Sequence, residues 1–442
     1  MENEDPDPPK SLRLVASTGE LYCTTKAKSY DREKKALGGS LKNSLEYASL
    51  VSKKNQEQDS NVFRSVEWIA DGTSFLTVSE DNLVRTFIAP PDLLTAPEPH
   101  ALLPYHITSL PSTPLCISPF PGADLQLPSS ALFLTSHRSQ PIQLRSFIYP
   151  GVTGTYPVIK QETEQYIATH SLTWTPDNLH FLAGTRSQIH LFDVSREKDE
   201  PLLTYGTGKS HAAGRHDDDG ADVRGIVSTL ATHPTTQTVA AGTYTRRIHL
   251  YSSPWQDGDF LGCIELNKTN AAMNVQSSRY GYSLRGGGVT QVAFTDTGTH
   301  LLVAERQSTI LRVYDIRNLT SPYAILIGHQ AYSNQKIGVS VGSIRGVSNA
   351  VVAGGADGFV RVWCPFSSAA ATEEGIYAPV KGWKAAEDPV TAASVNPLHS
   401  VVATSSGYRA QRPLDVNESG SDSSDEEDER SSWDNGVRVW DV

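Results

Sequence analysis

The sequence predicts an all-β molecule, a seven-bladed β-propeller built from four-stranded units, with a weakly ordered N-terminal extension and long loop insertions. Three observations predict it. The first is the stretch Ala353-Gly-Gly-Ala-Asp-Gly-Phe-Val-Arg-Val-Trp-Cys364. It reads as a strand end, a tight turn at Asp357-Gly358 and a second strand, because Asp and Gly accept the positive φ that hairpin turns require. The second is that this phrase recurs along the chain, and repeated units that each leave an apolar face bury it by stacking on the next. The third is that segments rich in Pro, Gly or charge fall between the predicted strands, where insertions cost little.

The first unit is Ser65-Val-Glu-Trp-Ile-Ala-Asp-Gly72, Phe75-Leu-Thr-Val-Ser79 and Leu83-Val-Arg-Thr-Phe-Ile88. A degenerate second unit holds Ala131–Thr135 and Ile142–Phe147. The third runs through His170–Asp177, Phe181–Thr185 and Ile189–Asp193, and the fourth through Gly225–Pro234, Thr238–Gly242 and Ile248–Tyr251. The fifth holds Val289–Gly298, His300–Ala304 and Leu311–Asp315. The Asp357 hairpin is the sixth, and Val390–Pro397, Val401–Ser405 and Val437–Asp441 make the seventh. Spacings of roughly 45 to 75 residues exceed the ~40–45 of a plain four-stranded repeat, and the loops account for the excess. These are Pro90–Pro128, Gly206–Gly220 and Ser406–Trp433. The last unit has no chain after it to supply an outer strand, so Leu12-Arg-Leu-Val-Ala16 is expected to close the ring and cover that edge. The domain reading is therefore a largely flexible extension over residues 1–60, with 12–16 as the closing strand. A propeller over 61–442 follows, with flexible insertions near 206–220 and 410–432.

The 442 residues carry a formal net charge of −11, with 38% apolar content. The run Glu418–Arg430 holds seven acids against one base, which leaves about −5 for the rest of the chain and room for a local basic patch. Cys23, Cys116, Cys263 and Cys364 lie far apart, with no C-x-x-C pair, which argues against a zinc site or a disulfide framework. The acidic, Pro-rich start and the lack of a run of about 18 apolar residues predict a soluble intracellular protein.

The strand endings Phe192-Asp193, Tyr314-Asp315 and Trp440-Asp441, with Pro-Asp or Asp-x-Gly turns before them, resemble WD40 repeats. The order Val66–Gly72, Asp81-Asn-Leu-Val-Arg85, Arg138-Ser-Gln-Pro-Ile142, His170–Trp174, Ser394–His399 and Ala403–Gly407 resembles the telomerase Cajal body protein family, which has splicing-associated relatives. The resemblance runs from about Phe63 to Gly407. It departs at the Gly206–Gly220 loop, the acidic insertion, the N-terminal extension and Arg285-Gly-Gly-Gly288, where a Gly-His is the family norm. It implies a non-catalytic nuclear adaptor, in the Cajal body or nucleoplasm, that binds small nuclear, Cajal-body or telomerase RNA and assists ribonucleoprotein assembly or localisation. Ribonucleoprotein components and spliceosomal proteins are the implied partners, with no cofactor, membrane or small-molecule substrate. The alternative is a scaffold of the splicing machinery that binds peptides and not RNA.

In such blades the turn between second and third strands carries a structural Asp, and Asp81 and Asp357 fill that place. The other units show arginine there: Arg138, Arg186, Arg246 or Arg247, Arg306 and Arg409. Equivalent turns on a closed ring face one way, so these guanidinium groups would crown one end. Guanidinium groups fork onto phosphates and stack on unpaired bases, and Tyr244 and Tyr408 beside them are of the stacking type. The competing reading is that each arginine pairs locally and holds its turn. Ser419, Ser423 and Ser424 each have an acid three residues on, a phosphorylation pattern, in a loop that would compete with the crown electrostatically. His211, His216 and Asp217-Asp-Asp219 match no metal-ligand spacing, and Gly286-Gly-Gly288 precedes a strand, not the helix of a phosphate cradle. No Ser-His-Asp, Cys-His or paired-carboxylate arrangement suggests an enzyme.

Overall fold

The computed structural model describes residues 12–23, 32–33, 35–37, 61–205, 225–252, 260–268, 271–366, 375–408 and 434–442. Seven sheets form the blades of a β-propeller. From the inner strand outward, blade 1 is Phe63–Trp68, Ser74–Ser79, Leu83–Ile88 and His106–Ser109. Blade 2 is Cys116–Pro119, Leu132–Ser136, Ile142–Ser146 and Val152–Tyr156. Blade 3 is Ser171–Trp174, His180–Gly184, Ile189–Asp193 and Leu203–Tyr205. Blade 4 is Val227–Thr232, Val239–Thr243, Arg247–Tyr251 and Phe260–Glu265. Blade 5 is Val289–Phe294, His300–Glu305, Ile310–Asp315 and Ala324–Ile327. Blade 6 is Val339–Ile344, Val347–Gly354, Phe359–Trp363 and Lys381–Lys384. Blade 7 is Val390–Val395, Val401–Ser406 and Gly436–Asp441, completed by Arg13–Ser17 from the other end of the chain. That last strand pairs antiparallel, with Arg13 opposite Asp441 and Ser17 opposite Arg438, and a bulge between Leu14 and Ala16. Its free edge is covered in turn by His100–Ala101.

The core lies between blades, not within one layer. Leu182, Ile189 and Leu191 of blade 3 pack on Val227, Val239 and Ala241 of blade 4. Ala240, Ile248 and Leu250 then pack on Val289, Val292 and Leu301 of blade 5. A sheet covered on both faces has no solvent side, so all six residues of Val401–Ser406 are buried and alternation is lost there. Adjacent inner strands are stapled by small hydroxyls. Ser394 accepts the Trp68 amide at 3.2 Å, and Ser171 and Ser228 donate to the carbonyls of Val227 and Val289 at 2.8 and 2.5 Å. The Ala-Gly that ends three second strands follows from the same crowding. A Cβ on Gly184 or Gly242 would lie 2.6 or 2.7 Å from the side chain of Val227 or Val289.

The extension expected to be weakly ordered is anchored at two buried points. Tyr22 is fully buried edge-on against Phe63, 5.0 Å between ring centroids. Its hydroxyl donates to Glu33 at 2.6 Å, and the Arg85 Nε donates to the same carboxylate at 2.9 Å. Arg85 also bonds Asp81 at 2.8 Å, with all three charged side chains buried. A polar, mixed-charge segment reads as unable to fold by hydropathy, but here a paired charge holds it down.

Candidate nucleic-acid interface

In six blades the turn between second and third strands contains one left-handed residue: Asn82, Ser139, Ser187, Arg246, Gln307 and Gly358, with φ between 54° and 79°. The residue just before it is the true equivalent of the structural Asp. Those residues are Asp81, Arg138, Arg186, Thr245, Arg306 and Asp357. In blade 4 the equivalent position therefore holds Thr245, and Arg246 sits one place further on.

The carboxylates of these turns are satisfied from within. Asp81 receives the Leu83 amide and the Ser79 hydroxyl as well as Arg85. Asp357 receives the Phe359 amide at 3.2 Å and pairs with Arg361 at 2.5 Å. In blade 7 Asp434 pairs with Arg438 at the same four-residue spacing. Asp434 thus occupies the position that sequence assigned to Arg409, because the insertion separates the turn from its second strand. Arg409, Ser419, Ser423, Ser424, His211, His216 and Asp217 to Asp219 lie outside the described residues.

One of the five proposed positions, that of Arg246 or Arg247, is tied down whichever residue fills it. Arg246 donates to Glu305 at 2.5 Å, Asn267 at 2.8 Å and the Leu284 carbonyl at 3.0 Å. Glu305 is buried, and Arg312 from its own blade pairs with its other oxygen. Arg247 pairs with Glu265 at 3.2 Å. Arg138 and Arg186 are exposed, and among the described residues neither guanidinium has a hydrogen bond or ion pair. The Arg138 charge is felt by His170, whose pKa is lowered mainly by burial and further by this arginine.

Arg306 stacks over the exposed Tyr244 ring, 5.2 Å from its centroid, with its Nε buried and without a partner. The three glycines allow that approach. A Cβ on Gly288, at φ +113°, would lie 2.8 Å from the Tyr244 carbonyl oxygen, and one on Gly286 would lie 2.7 Å from Glu305. Tyr408 is exposed beside blade 7, 39% accessible. A polar cleft of about 450 Å³ adjoins Arg246, between that turn and the helix Ala271–Tyr280, with Asn274, Ser283 and Arg285 on its walls.

Lys336, on the connection from blade 5 to blade 6, was not legible as a site residue. Its side chain reaches solvent, yet desolvation by the surrounding strands lowers its pKa, and Arg64 and Arg306 lower it further, while Cys116 and Glu67 oppose them. These partners belong to blades 1, 2 and 5. Glu67, on the inner strand of blade 1, is pushed up to about 7 by desolvation, with Lys336 pulling the other way. Arg64 donates to the Pro114 carbonyl at 3.0 Å. The only hint in the sequence is a charged pair, Arg64 and Glu67, on a strand otherwise built for burial.

No protein-family model matches the chain. It is 27% identical over 310 residues to guanine nucleotide-binding protein negative regulator 1 of Schizosaccharomyces pombe, covering 69% of this chain and 70% of that protein. It is 24% identical over 369 residues to telomerase Cajal body protein 1 of Bos taurus, covering 80% of this chain and 59% of that protein. Protein SWT21 of Kluyveromyces lactis is 24% identical over 305 residues, 67% of each chain. The chain thus spans 59% of the length of the bovine Cajal body protein that it matches.

Proposed function

We propose that this chain, a WD40-type propeller similar to the telomerase Cajal body proteins and the two yeast proteins, is a non-catalytic nuclear adaptor for small RNA. It holds a single-stranded loop of a nuclear, Cajal-body or telomerase RNA on the face that carries Arg138, Arg186, Arg306 and Tyr244. In doing so it assists assembly or localisation of the ribonucleoprotein. The observation that carries this reading is an asymmetry of charge. The turn carboxylates Asp81, Asp357 and Asp434 and the strand-end Glu305 are all paired with arginines of the fold, whereas Arg138 and Arg186 are exposed and, among the described residues, unpaired. Unpaired guanidinium groups spaced around a ring suit a phosphodiester chain, and single-stranded loops present the bases that aromatic rings stack on.

A second reading, a protein scaffold, is favoured by the name of the fission-yeast relative, a negative regulator of a guanine nucleotide-binding protein. The same arginines can donate to the carboxylates of an acidic peptide. Crosslinking of purified protein to a small structured RNA at rising salt separates the two. The RNA reading expects a salt-sensitive crosslink, and a combined Arg138→Glu and Arg186→Glu variant that weakens binding about a hundredfold and flattens the salt dependence. Unchanged affinity in that folded variant removes the RNA reading and leaves the scaffold.

A further inference from the structure

The cleft between the blade 4 turn and the helix Ala271–Tyr280 is lined by hydrogen-bond donors and by no carboxylate. Asn267 accepts the Arg246 guanidinium through its side-chain oxygen at 2.8 Å, which leaves its amide nitrogen to donate. Asn274 and Ser277, three residues apart on one face of the helix, line the cleft from that side. Arg285 is exposed, and its guanidinium has no hydrogen bond or ion pair among the described residues. Tyr282 lines the cleft too, and although it is only 8% exposed its hydroxyl has no partner. A buried hydroxyl left unpaired is destabilising, so its presence here calls for an acceptor. The neighbouring acceptors of the described fold are already committed. Glu305 takes both Arg246 and Arg312. Glu265, which precedes Leu266 of the cleft, takes Arg247 at 3.2 Å and Lys268 at 2.7 Å. The Leu284 carbonyl likewise accepts from Arg246 and Arg312, at 3.0 and 2.9 Å. Each of these acceptors serves two cations, so the rim keeps an excess of positive charge that an anion would offset.

We infer that this cleft binds a ribose phosphate, with Arg285, the Asn267 amide and the Tyr282 hydroxyl as donors to the phosphate oxygens. Its volume of about 450 Å³ exceeds what a bare phosphate fills and lies within the range of small-ligand pockets. A phosphate presents more oxygens than a carboxylate to donors that come from separate segments of the chain. The Asn274 and Ser283 side chains both donate and accept, which suits the hydroxyls of a sugar. These groups serve a free nucleotide and the end of a strand alike, and the test separates the two. The site goes beyond the adaptor reading, which places RNA on Arg138, Arg186, Arg306 and Tyr244, and it does not require that reading.

The full chain is tested by equilibrium dialysis against radiolabelled uridine 5′-monophosphate and, separately, 5′-phosphorylated decauridylate, with uridine as the phosphate-free control. Arg285→Ala is expected to weaken binding about tenfold, since it removes a charge-assisted hydrogen bond. Tyr282→Phe deletes only the hydroxyl. It is expected to weaken binding about fivefold, with a urea midpoint no lower than the parent's, because the hydroxyl has no partner in the fold. A tyrosine that serves packing alone would leave binding unchanged. Monophosphate bound with this dependence assigns the cleft to a free nucleotide. Decauridylate bound alone, with the same dependence, assigns it to a strand end, and either result supports the site. Neither probe bound at millimolar concentration, binding unaltered in both variants, or uridine held as tightly as its phosphate overturns the inference. So does a phosphoserine peptide that binds more tightly than either probe and depends on Arg285. The two readings fail separately. Decauridylate binding that is weakened by Arg138→Glu and Arg186→Glu but not by the cleft variants, with monophosphate unbound, removes the cleft and leaves the adaptor. Monophosphate held through Arg285 by a chain that binds no RNA removes the adaptor and leaves the cleft.

Discussion

Arg85 shows how much one residue decides. Its guanidinium is fully buried among Asp81, Glu33 and the Ser79 hydroxyl, and it lies 4.9 Å from the Tyr22 ring centroid. Buried charge is tolerated only when it is paired and hydrogen-bonded on all sides, and removing one partner strands the other. Replacing Glu33 by Ala leaves Arg85 with Asp81 as its one remaining carboxylate and the Tyr22 hydroxyl without its acceptor. The expected cost is about 3 kcal/mol, seen as a lower urea midpoint. A midpoint equal to the parent's would show that the Glu33 contact contributes nothing to stability. The same logic separates the turn arginines. Arg246 has Glu305 and is part of the scaffold, whereas Arg138 and Arg186 have no such partner among the described residues.

At the scale of the element, the turn between second and third strands is the unit of variation. Its left-handed residue is kept in blades 1 to 6, while the residue before it changes from Asp to Arg or Thr without altering the backbone. A turn can therefore carry a binding side chain at no conformational cost, since the strands on either side hold its shape. The connection into blade 5 behaves differently. A Cβ on Gly288 would press on the Tyr244 backbone and one on Gly286 on the Glu305 carboxylate, so a side chain at either must displace its neighbour. Gly288→Ala, at φ +113° and 2.8 Å from a carbonyl oxygen, is expected to cost about 2 kcal/mol and to lower Tm by several degrees. An unaltered Tm would mean that the segment relaxes freely and that the Tyr244–Arg306 stack does not depend on it.

For the whole molecule, burial between blades has a consequence for pH. His137, His190, His249 and His329 are buried, and desolvation pushes each down to about 4. The folded value lies below the unfolded one near 6.5, so between the two the unfolded chain binds more protons. Their contribution is complete above about 6.5 and is lost as pH falls towards 4. The urea midpoint is expected to drop steadily from pH 7.5 to pH 5, by about 1–2 kcal/mol of stability for each ring at pH 5. A constant midpoint over that range would show that these rings accept a proton in place. The ring closes through a strand from the chain's far end, so blades 7 and 1 share one apolar cluster with Val15 and Tyr22.

Local chemistry was legible in the sequence. Asp-Gly turns, apolar alternation and their repetition count the blades, and the Asp-x-x-x-Arg spacing of Asp81 with Arg85 recurs in Asp357 with Arg361. The Asp-to-Arg change at Arg138, Arg186 and Arg306 was equally visible, since a turn position is defined by its immediate neighbours. What only the tertiary structure decided is which charges remain unmatched. Arg246 is neutralised by a glutamate 59 residues away on the next blade, and Glu33 reaches Arg85 from 52 residues away. Turn geometry depends on adjacent residues, so it can be read in order. The pairing of charge depends on which strands share an axis, and closing the ring determines that.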